Sequence, residues 1–167
     1  MAQSPLILLA YNLTHLEWDE NVETLPDPEH PFENQFETTT SVERHSSDPV
    51  AWRVVLTVAS IVQEGIQQQP ITFSVSYTGY FSVIPGYPEE NAEKLVGVNG
   101  SSILYAAARE GLLQLSGRSN SGPFILPSIS FMDLPTSSDA VRKTKAKPRK
   151  KTVKKPKATK QTAKAKK

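Results

Sequence analysis

The sequence predicts an α+β domain, a four-stranded antiparallel sheet with one main helix, followed by a disordered basic tail. Three observations lead to this prediction. Four runs with a β-strand pattern come first, a helical pattern follows them, and almost all apolar residues lie before Leu134. Strands followed by a helix are typical of α+β folds with an antiparallel sheet. We therefore expect one domain over residues 1–135 and a lysine-rich tail over residues 136–167.

The predicted strands differ in how clearly their residues alternate. Residues 6–18 are rich in leucine and aromatic side chains, and residues 36–45 alternate weakly through a threonine run. Residues 50–62 and 71–84 alternate clearly, so that one face of each run carries the large apolar side chains: Trp52, Val54, Leu56 and Val58, then Ile71, Phe73, Val75 and Tyr77. Gly79 lies inside the last run, where it predicts a bulge.

The helical pattern is strongest between Ile103 and Ser116, where Leu104, Ala108, Gly111, Leu112 and Leu115 follow helical spacing. Residues 99–102 are candidate caps for its start, and residues 89–96 could form a separate short helix. Glycine inside a helix costs ~1 kcal/mol relative to alanine. Gly111 therefore predicts close packing against the sheet or another subunit. One helix covers a four-stranded sheet incompletely, which predicts oligomerisation.

The sequence lacks the residues that several kinds of catalytic or metal-binding site require. The chain has no cysteine, which excludes disulfides, thiolate metal sites and a thiol nucleophile. His15, His30 and His45 share no metal-ligand spacing, and the acidic residues from Glu17 to Asp27 lack the glycine and spacing of a calcium loop. Neither a phosphate-binding glycine loop nor a nucleophile motif is present. We expect no enzymatic activity, no metal site and no cofactor.

The N-terminal apolar stretch, residues 5–13, does not have the pattern of a targeting or membrane segment. No basic residue precedes it, acidic residues follow it, and it is shorter than the ~20 apolar residues that cross a bilayer. We therefore expect a soluble, cytoplasmic protein without membrane insertion.

A family resemblance is carried by the order and spacing of several segments. These are GYFSVI at residues 79–84, SILYAAARE within the helix, GPFILPSISF after it, THLEWDEN at residues 14–21, and a proline-rich link that reaches Phe32. Together they resemble the SecB family of export chaperones over about four-fifths of the chain. No single motif carries the likeness alone.

The resemblance implies a homotetramer, a dimer of dimers, whose long hydrophobic grooves bind unfolded or precursor polypeptides and pass them to the SecA motor ATPase. Exposed apolar grooves bind many polypeptides without specificity for one sequence. Carried over by position, the groove candidates are Phe32, Phe36, Tyr105, Phe124, Leu126, Ile129 and Phe131. The alternative for each of these residues is ordinary core packing.

Three departures from the family pattern affect the predicted partners. In the family, acidic residues of the first and fourth strands meet SecA. In this sequence Asp19 matches one of them, whereas the preceding acidic position holds Thr14 or His15 and the position in the fourth strand holds Ser74. Residues 135–138 and the basic tail stand where the family has a second helix. SecB-like proteins also serve as dedicated chaperones of toxin–antitoxin systems, and the incomplete acidic set keeps that alternative open.

The charge is divided unevenly along the chain. Residues 1–141 carry five basic and 17 acidic residues, a net charge of −12, whereas residues 142–167 carry 14 basic residues and no acid. Such a segment predicts contact with nucleic acid phosphates, or with the acidic domain itself. A nucleic-acid-associated protein that acts through its tail is therefore the competing function. The candidate contacts are Arg142, Lys143, Lys147, Arg149, Lys150, Lys151, Lys154 and Lys155.

Overall fold

The computed structural model describes residues 4–20, 35–61, 71–119 and 122–132. Its elements are β1 (Leu6–Glu20), β2 (Phe36–Arg44), β3 (Ala51–Ser60), β4 (Ile71–Val83) and α1 (Glu89–Ser116). The strands form one antiparallel sheet in the order β1-β4-β3-β2. The predicted fold class, a four-stranded antiparallel sheet with one main helix, is confirmed.

The core lies between α1 and one face of the sheet. The alternating apolar residues predicted for β3 and β4 are all buried on that face, and Leu104, Ala108 and Leu112 of α1 are buried against them. The opposite face carries hydroxyl side chains, among which the Oγ1 of Thr57 and the Oγ of Ser76 lie 2.8 Å apart. Because one sheet face is covered and the other is polar, apolar and polar residues alternate along β3 and β4 with a period of two.

Helix α1 is one continuous helix of 28 residues, so the prediction of a break at residues 99–102 was wrong. The polar side chains of this stretch bond within the helix instead of capping it. The Nδ2 of Asn99 donates to the carbonyl oxygen of Leu95 at 3.0 Å, and the Oγ of Ser102 donates to that of Val98 at 2.7 Å. Gly100 lies against the sheet, where a Cβ would come within 3.1 Å of the Val54 side chain. Close packing of a helix on a sheet therefore outweighs the low helix propensity of these residues.

Two other glycines also allow close packing between α1 and the sheet. A Cβ on Gly79 would come within 2.9 Å of Leu104 and 2.7 Å of Phe81, and a Cβ on Gly111 would come within 2.7 Å of the Tyr77 hydroxyl oxygen. The expected bulge at Gly79 was wrong, because Gly79 pairs regularly with Tyr11 and Val54. The irregularities lie on β1 instead, at Leu9 and Thr14.

Candidate functional site

The segment that follows α1, residues 122–132, is an extended strap that is tied to the helix by side-chain hydrogen bonds. The buried Ser116 Oγ accepts a hydrogen bond from the Phe124 amide at 2.7 Å. The Tyr105 hydroxyl donates to the Pro127 carbonyl oxygen at 2.7 Å. Burial of the Tyr105 ring raises the pKa of its hydroxyl, while the nearby Arg109 charge lowers it by less. The strap is thus fixed at two points without joining the sheet.

Most of the predicted groove residues are buried within the single chain. Tyr105, Phe124, Leu126 and Phe131 are each at most 7% exposed. The Phe124 ring lies 5.1 Å from that of Phe73, and the Tyr105 and Phe131 rings meet edge to face at 5.7 Å. In the isolated chain these residues hold the strap on the core, and their contact with a client stays a prediction.

The other predicted groove residues differ in their exposure. Phe36 is half-buried and packs at the margin of the core. Ile129 is 37% exposed. Phe32 and the basic residues of the tail lie outside the described residues.

A cleft of about 470 Å³ separates α1 from the strap. Its apolar lining comes from Tyr105, Ala106, Leu113, Ile125 and Ile129, and its polar lining from Ser102, Arg109, Glu110 and Ser128. Ile125 is 54% exposed, so both isoleucines present side-chain surface to solvent. An open cleft with mixed apolar and polar lining can hold extended polypeptide, because side chains enter the apolar part while polar groups contact the backbone. We call this site the strap cleft.

A second apolar surface lies on β1. Its side chains, each between 37% and 61% exposed, are Ile7, Leu8, Leu9, Tyr11, Leu13 and Leu16. A groove of about 650 Å³ runs between this strand and the C-terminal half of α1, with Leu13, Leu16 and Leu115 along its walls. The sequence pattern predicted only a strand for these residues. The available signal was that apolar residues from Leu6 to Leu9 do not alternate, so some of them must face solvent or another molecule. We call this set the β1 strip.

The predicted SecA contact lies on the sheet face opposite α1. Asp19 is exposed and pairs in register with Thr72, and Glu17 pairs with Ser74. The Glu17 carboxylate also lies 3.5 Å from the Nε2 of His15. The structure therefore brings Asp19 and Glu17 together on one face, while β4 contributes hydroxyl groups there instead of an acid.

Within residues 4–20, 35–61, 71–119 and 122–132, no group of three or more histidine, aspartate or glutamate side chains could hold a metal ion. No helix in the described part of the chain is both long and apolar enough to cross a membrane.

Comparison with known proteins gives a match at the level of structure. No protein-family model and no curated protein matches this chain. The SecB-like chaperone Rv1957 of Mycobacterium tuberculosis, solved with a ChAD peptide from the HigA1 antitoxin, matches with a TM-score of 0.59 and 20% identity. The match covers 75% of this chain and 91% of that one. The chain has the SecB-like fold.

A second solved structure is similar at lower overlap. It is a protein of unknown function from Streptococcus agalactiae, which matches with a TM-score of 0.46 and 11% identity. The match covers 77% of this chain and 100% of that one. The four-stranded antiparallel sheet and the helix of this chain match the SecB-like fold.

Proposed function

We propose that this chain is an ATP-independent chaperone, a holdase that binds unfolded polypeptide segments on apolar surface. The observation that carries the proposal is the strap cleft, an open and partly apolar site on a SecB-like fold. A solved protein with this fold holds a peptide, which supports the same class of ligand here. We further propose a homotetramer, as the family resemblance implies, that is cytoplasmic and without enzymatic activity, as the sequence predicts.

The strap cleft suits short apolar segments of many sequences. Full burial of one aliphatic side chain contributes about 1.5–3 kcal/mol, and ordering a flexible client offsets much of that gain. A few side chains in a shallow cleft therefore give weak, reversible binding. Tyr105 and Ile129 line the cleft directly. Phe124, Leu126 and Phe131 would act from beneath by holding the strap, and Phe36 would extend the groove toward the sheet margin. Contact of Phe32 with a client is proposed from the family resemblance alone.

The client could be one dedicated protein or many precursors. The peptide in the Mycobacterium tuberculosis structure comes from an antitoxin, which favours a dedicated client. Export would require SecA, and Asp19 with Glu17 is the surface that we propose for that contact. A dedicated chaperone binds one client tightly, whereas an export chaperone binds many loosely, so affinities for a panel of unfolded proteins distinguish the two roles.

The first test measures whether the full chain suppresses aggregation of a chemically unfolded client. We expect suppression by the unchanged chain and roughly tenfold weaker apparent affinity, about 1.4 kcal/mol, for the double variant Ile125→Asp, Ile129→Asp. Both side chains are more than a third exposed, so the fold should survive. The control is Thr39→Asp with Ser41→Asp on β2, two exposed positions outside the cleft.

Two results would contradict this proposal at different levels. If the unchanged chain fails to suppress aggregation, the holdase function is wrong. If both variants act like the unchanged chain, the holdase stands but the strap cleft is not its binding site.

A second candidate function is nucleic acid binding through the tail. The observation that favours it is that residues 142–167 contain 14 basic residues and no acidic residue. We propose that Arg142, Lys143, Lys147, Arg149, Lys150, Lys151, Lys154 and Lys155 contact phosphates without reading base sequence. In this alternative the domain serves to oligomerise and to display several tails, whose joint binding raises avidity.

A further inference from the structure

The strap cleft contains an arginine whose charge has no acidic partner in the described part of the chain. Arg44 and Arg53 each pair with a carboxylate, whereas none of the described residues forms such a pair with Arg109. The Nη1 of Arg109 instead donates to the Oγ of Ser128 on the strap at 3.4 Å, a long hydrogen bond to a neutral group. The exposed guanidinium of Arg109 can therefore bind an anion that enters the cleft.

The neighbouring acid of the cleft, Glu110, bonds in a different direction. Its Oε1 accepts a hydrogen bond from the Nε2 of Gln114 at 2.7 Å, so its carboxylate bonds along α1 while Arg109 bonds across to the strap. The charge of Arg109 also acts on the inner wall of the cleft. Burial raises the pKa of the Tyr105 hydroxyl, and the positive charge of Arg109 offsets part of that rise. The strap side of the cleft is therefore electropositive.

The strap runs antiparallel to α1, and this direction places Arg109 between the two apolar ends of the cleft. Three contacts join successive strap positions to successively earlier helix positions: Phe124 with Ser116, Ser128 with Arg109, and Phe131 with Tyr105. Ile125 therefore lies toward the C-terminal end of α1, and Ile129 lies toward Tyr105. The arginine is thus flanked by the two exposed isoleucines of the strap.

We propose that the strap cleft selects client segments in which one acidic side chain stands midway between two apolar ones, in the pattern apolar-x-acidic-x-apolar. The proposal rests on the holdase function proposed above and names the segment that its site would hold. In an extended chain every second side chain points the same way, and four residue steps span about 14 Å at ~3.4 Å per residue. Ile125 and Ile129 are four steps apart on the extended strap. A client beside the strap would therefore place its apolar side chains near the two isoleucines and the side chain midway near Arg109.

A carboxylate fits the middle of the cleft better than other side chains do. The guanidinium of Arg109 forms charge-assisted hydrogen bonds with a carboxylate, and the Ser128 hydroxyl can donate another. A lysine would meet the like charge of Arg109, and a glutamine would bond without the gain from opposite charges. Because the cleft is open to solvent, the ion pair is screened and contributes modestly. The acid therefore determines which segment binds, while the apolar side chains supply most of the affinity.

The overall charge of the chain does not produce this pattern. Residues 1–141, with five basic and 17 acidic residues, repel an acidic peptide, and residues 142–167, with 14 basic residues, attract one. Both effects depend on the charge of the peptide and not on where its acid stands relative to its apolar side chains. A preference for an acid at the middle position is therefore specific to the cleft.

The experiment measures the binding of fluorescein-labelled peptides to the full chain by fluorescence anisotropy. The first peptide has two leucines four residues apart with a glutamate midway. The second has a glutamine midway, and the third keeps the glutamate but has it outside the two leucines, so that its net charge equals that of the first. We expect the first peptide to bind about fivefold more tightly than either of the others at low salt, as an exposed ion pair allows, and the difference to shrink at high salt.

Two variants of Arg109 assign the preference to this residue. Arg109→Gln should bind the three peptides equally, and Arg109→Glu should prefer a fourth peptide with a lysine midway. Arg109 is exposed, so both variants should fold, and the reversed preference is a gain that an unfolded variant cannot show. The matched control is Arg53→Gln, which removes an exposed arginine of β3 that does not line the cleft. It should keep the preference of the unchanged chain.

Aggregation suppression, measured on the same proteins, separates failure of this proposal from failure of the holdase function. If the unchanged chain suppresses aggregation but shows no preference for the glutamate midway, the proposed pattern is wrong and the holdase function stands. The same conclusion follows if Arg109→Gln keeps the preference. If the unchanged chain neither suppresses aggregation nor binds any of the peptides, the holdase function is wrong, and the proposed selectivity is wrong with it.

Discussion

At the scale of single residues, small and hydroxyl-bearing side chains determine how closely α1, the strap and the sheet approach. A Cβ at Gly79 or Gly111 would overlap the facing side chains, and one at Gly100 would crowd Val54. Ser101 and Ser116 are fully buried, and each bonds to the element that packs on the helix: Thr40 on β2 and Phe124 on the strap. Buried hydroxyls of this kind stabilise a fold only because they have partners. Substitution at these positions should therefore affect the packing between elements more than the helix itself.

The Tyr105 hydroxyl gives a prediction for alkaline pH. Tyr105→Phe removes its hydrogen bond to Pro127 and should lower the free energy of unfolding by about 1 kcal/mol at neutral pH. Burial raises the pKa of Tyr105 in the folded chain, so above about pH 10 the unfolded state ionises first and the native state loses stability. The variant lacks that loss. Urea unfolding should show that the two proteins differ less in free energy of unfolding at pH 11 than at pH 8. An equal difference at both pH values would contradict the raised pKa of Tyr105.

At the scale of elements, close packing on the sheet decides both the length of α1 and the path of the strap. The helix continues through Gly97, Asn99 and Gly100, which are weak helix formers, because this stretch lies close to the sheet. The strap has no partner strand among the described residues, and alternate side chains, Phe124 and Leu126, enter the core while Ile125 faces solvent. Its position therefore depends on its two hydrogen-bond anchors and a few buried side chains.

Ser116→Ala tests the first anchor of the strap. The substitution leaves the buried Phe124 amide without its acceptor, which costs about 1–3 kcal/mol. We expect faster hydrogen exchange across residues 124–131, with little change in the first turns of α1. Ser102→Ala is the control, because that exposed hydroxyl donates to the Val98 carbonyl oxygen within the helix and holds no strap residue in the described part of the chain. Equal exchange in the two variants would mean that apolar packing alone holds the strap.

At the scale of the whole molecule, apolar binding surface and basic charge occupy different parts of the chain. The strap cleft and the β1 strip lie in the acidic region, and the 14 basic residues lie at the C-terminal end. If clients bind the strap cleft and polyanions bind residues 142–167, as we propose, each activity should be removable without the other.

Removing residues 142–167 should abolish nucleic acid binding and leave aggregation suppression intact. For the full chain, affinity for duplex DNA should fall steeply with salt, with a log–log slope of about −7 if the eight named residues each neutralise one phosphate. Fluorescence anisotropy against salt concentration measures the slope. A slope near zero, or DNA binding that survives the truncation, would contradict the role of the tail. Loss of aggregation suppression on truncation would instead place client binding in the tail.

Much of the fold followed from local patterns in the sequence. Alternation at Trp52 to Val58 and at Ile71 to Tyr77 identified the covered sheet face correctly, since the period of two reflects burial directly. Helical spacing likewise identified Leu104, Ala108 and Leu112 as core residues. The break expected at residues 99–102 was wrong, because local propensity is weaker than tertiary packing.

By itself, the sequence determined the fold class, the buried faces and the division of charge between an acidic region and a basic C-terminal segment, because periodicity and charge are properties of neighbouring residues. Only the tertiary structure decided which apolar residues stay exposed. Within the one short strap, Phe124 and Leu126 are buried, whereas Ile125 and Ile129 line the strap cleft. Likewise, β1 is an apolar edge only because β4 lies between it and β3. Exposure depends on the order of strands and the reach of α1, which are contacts between residues distant in the chain.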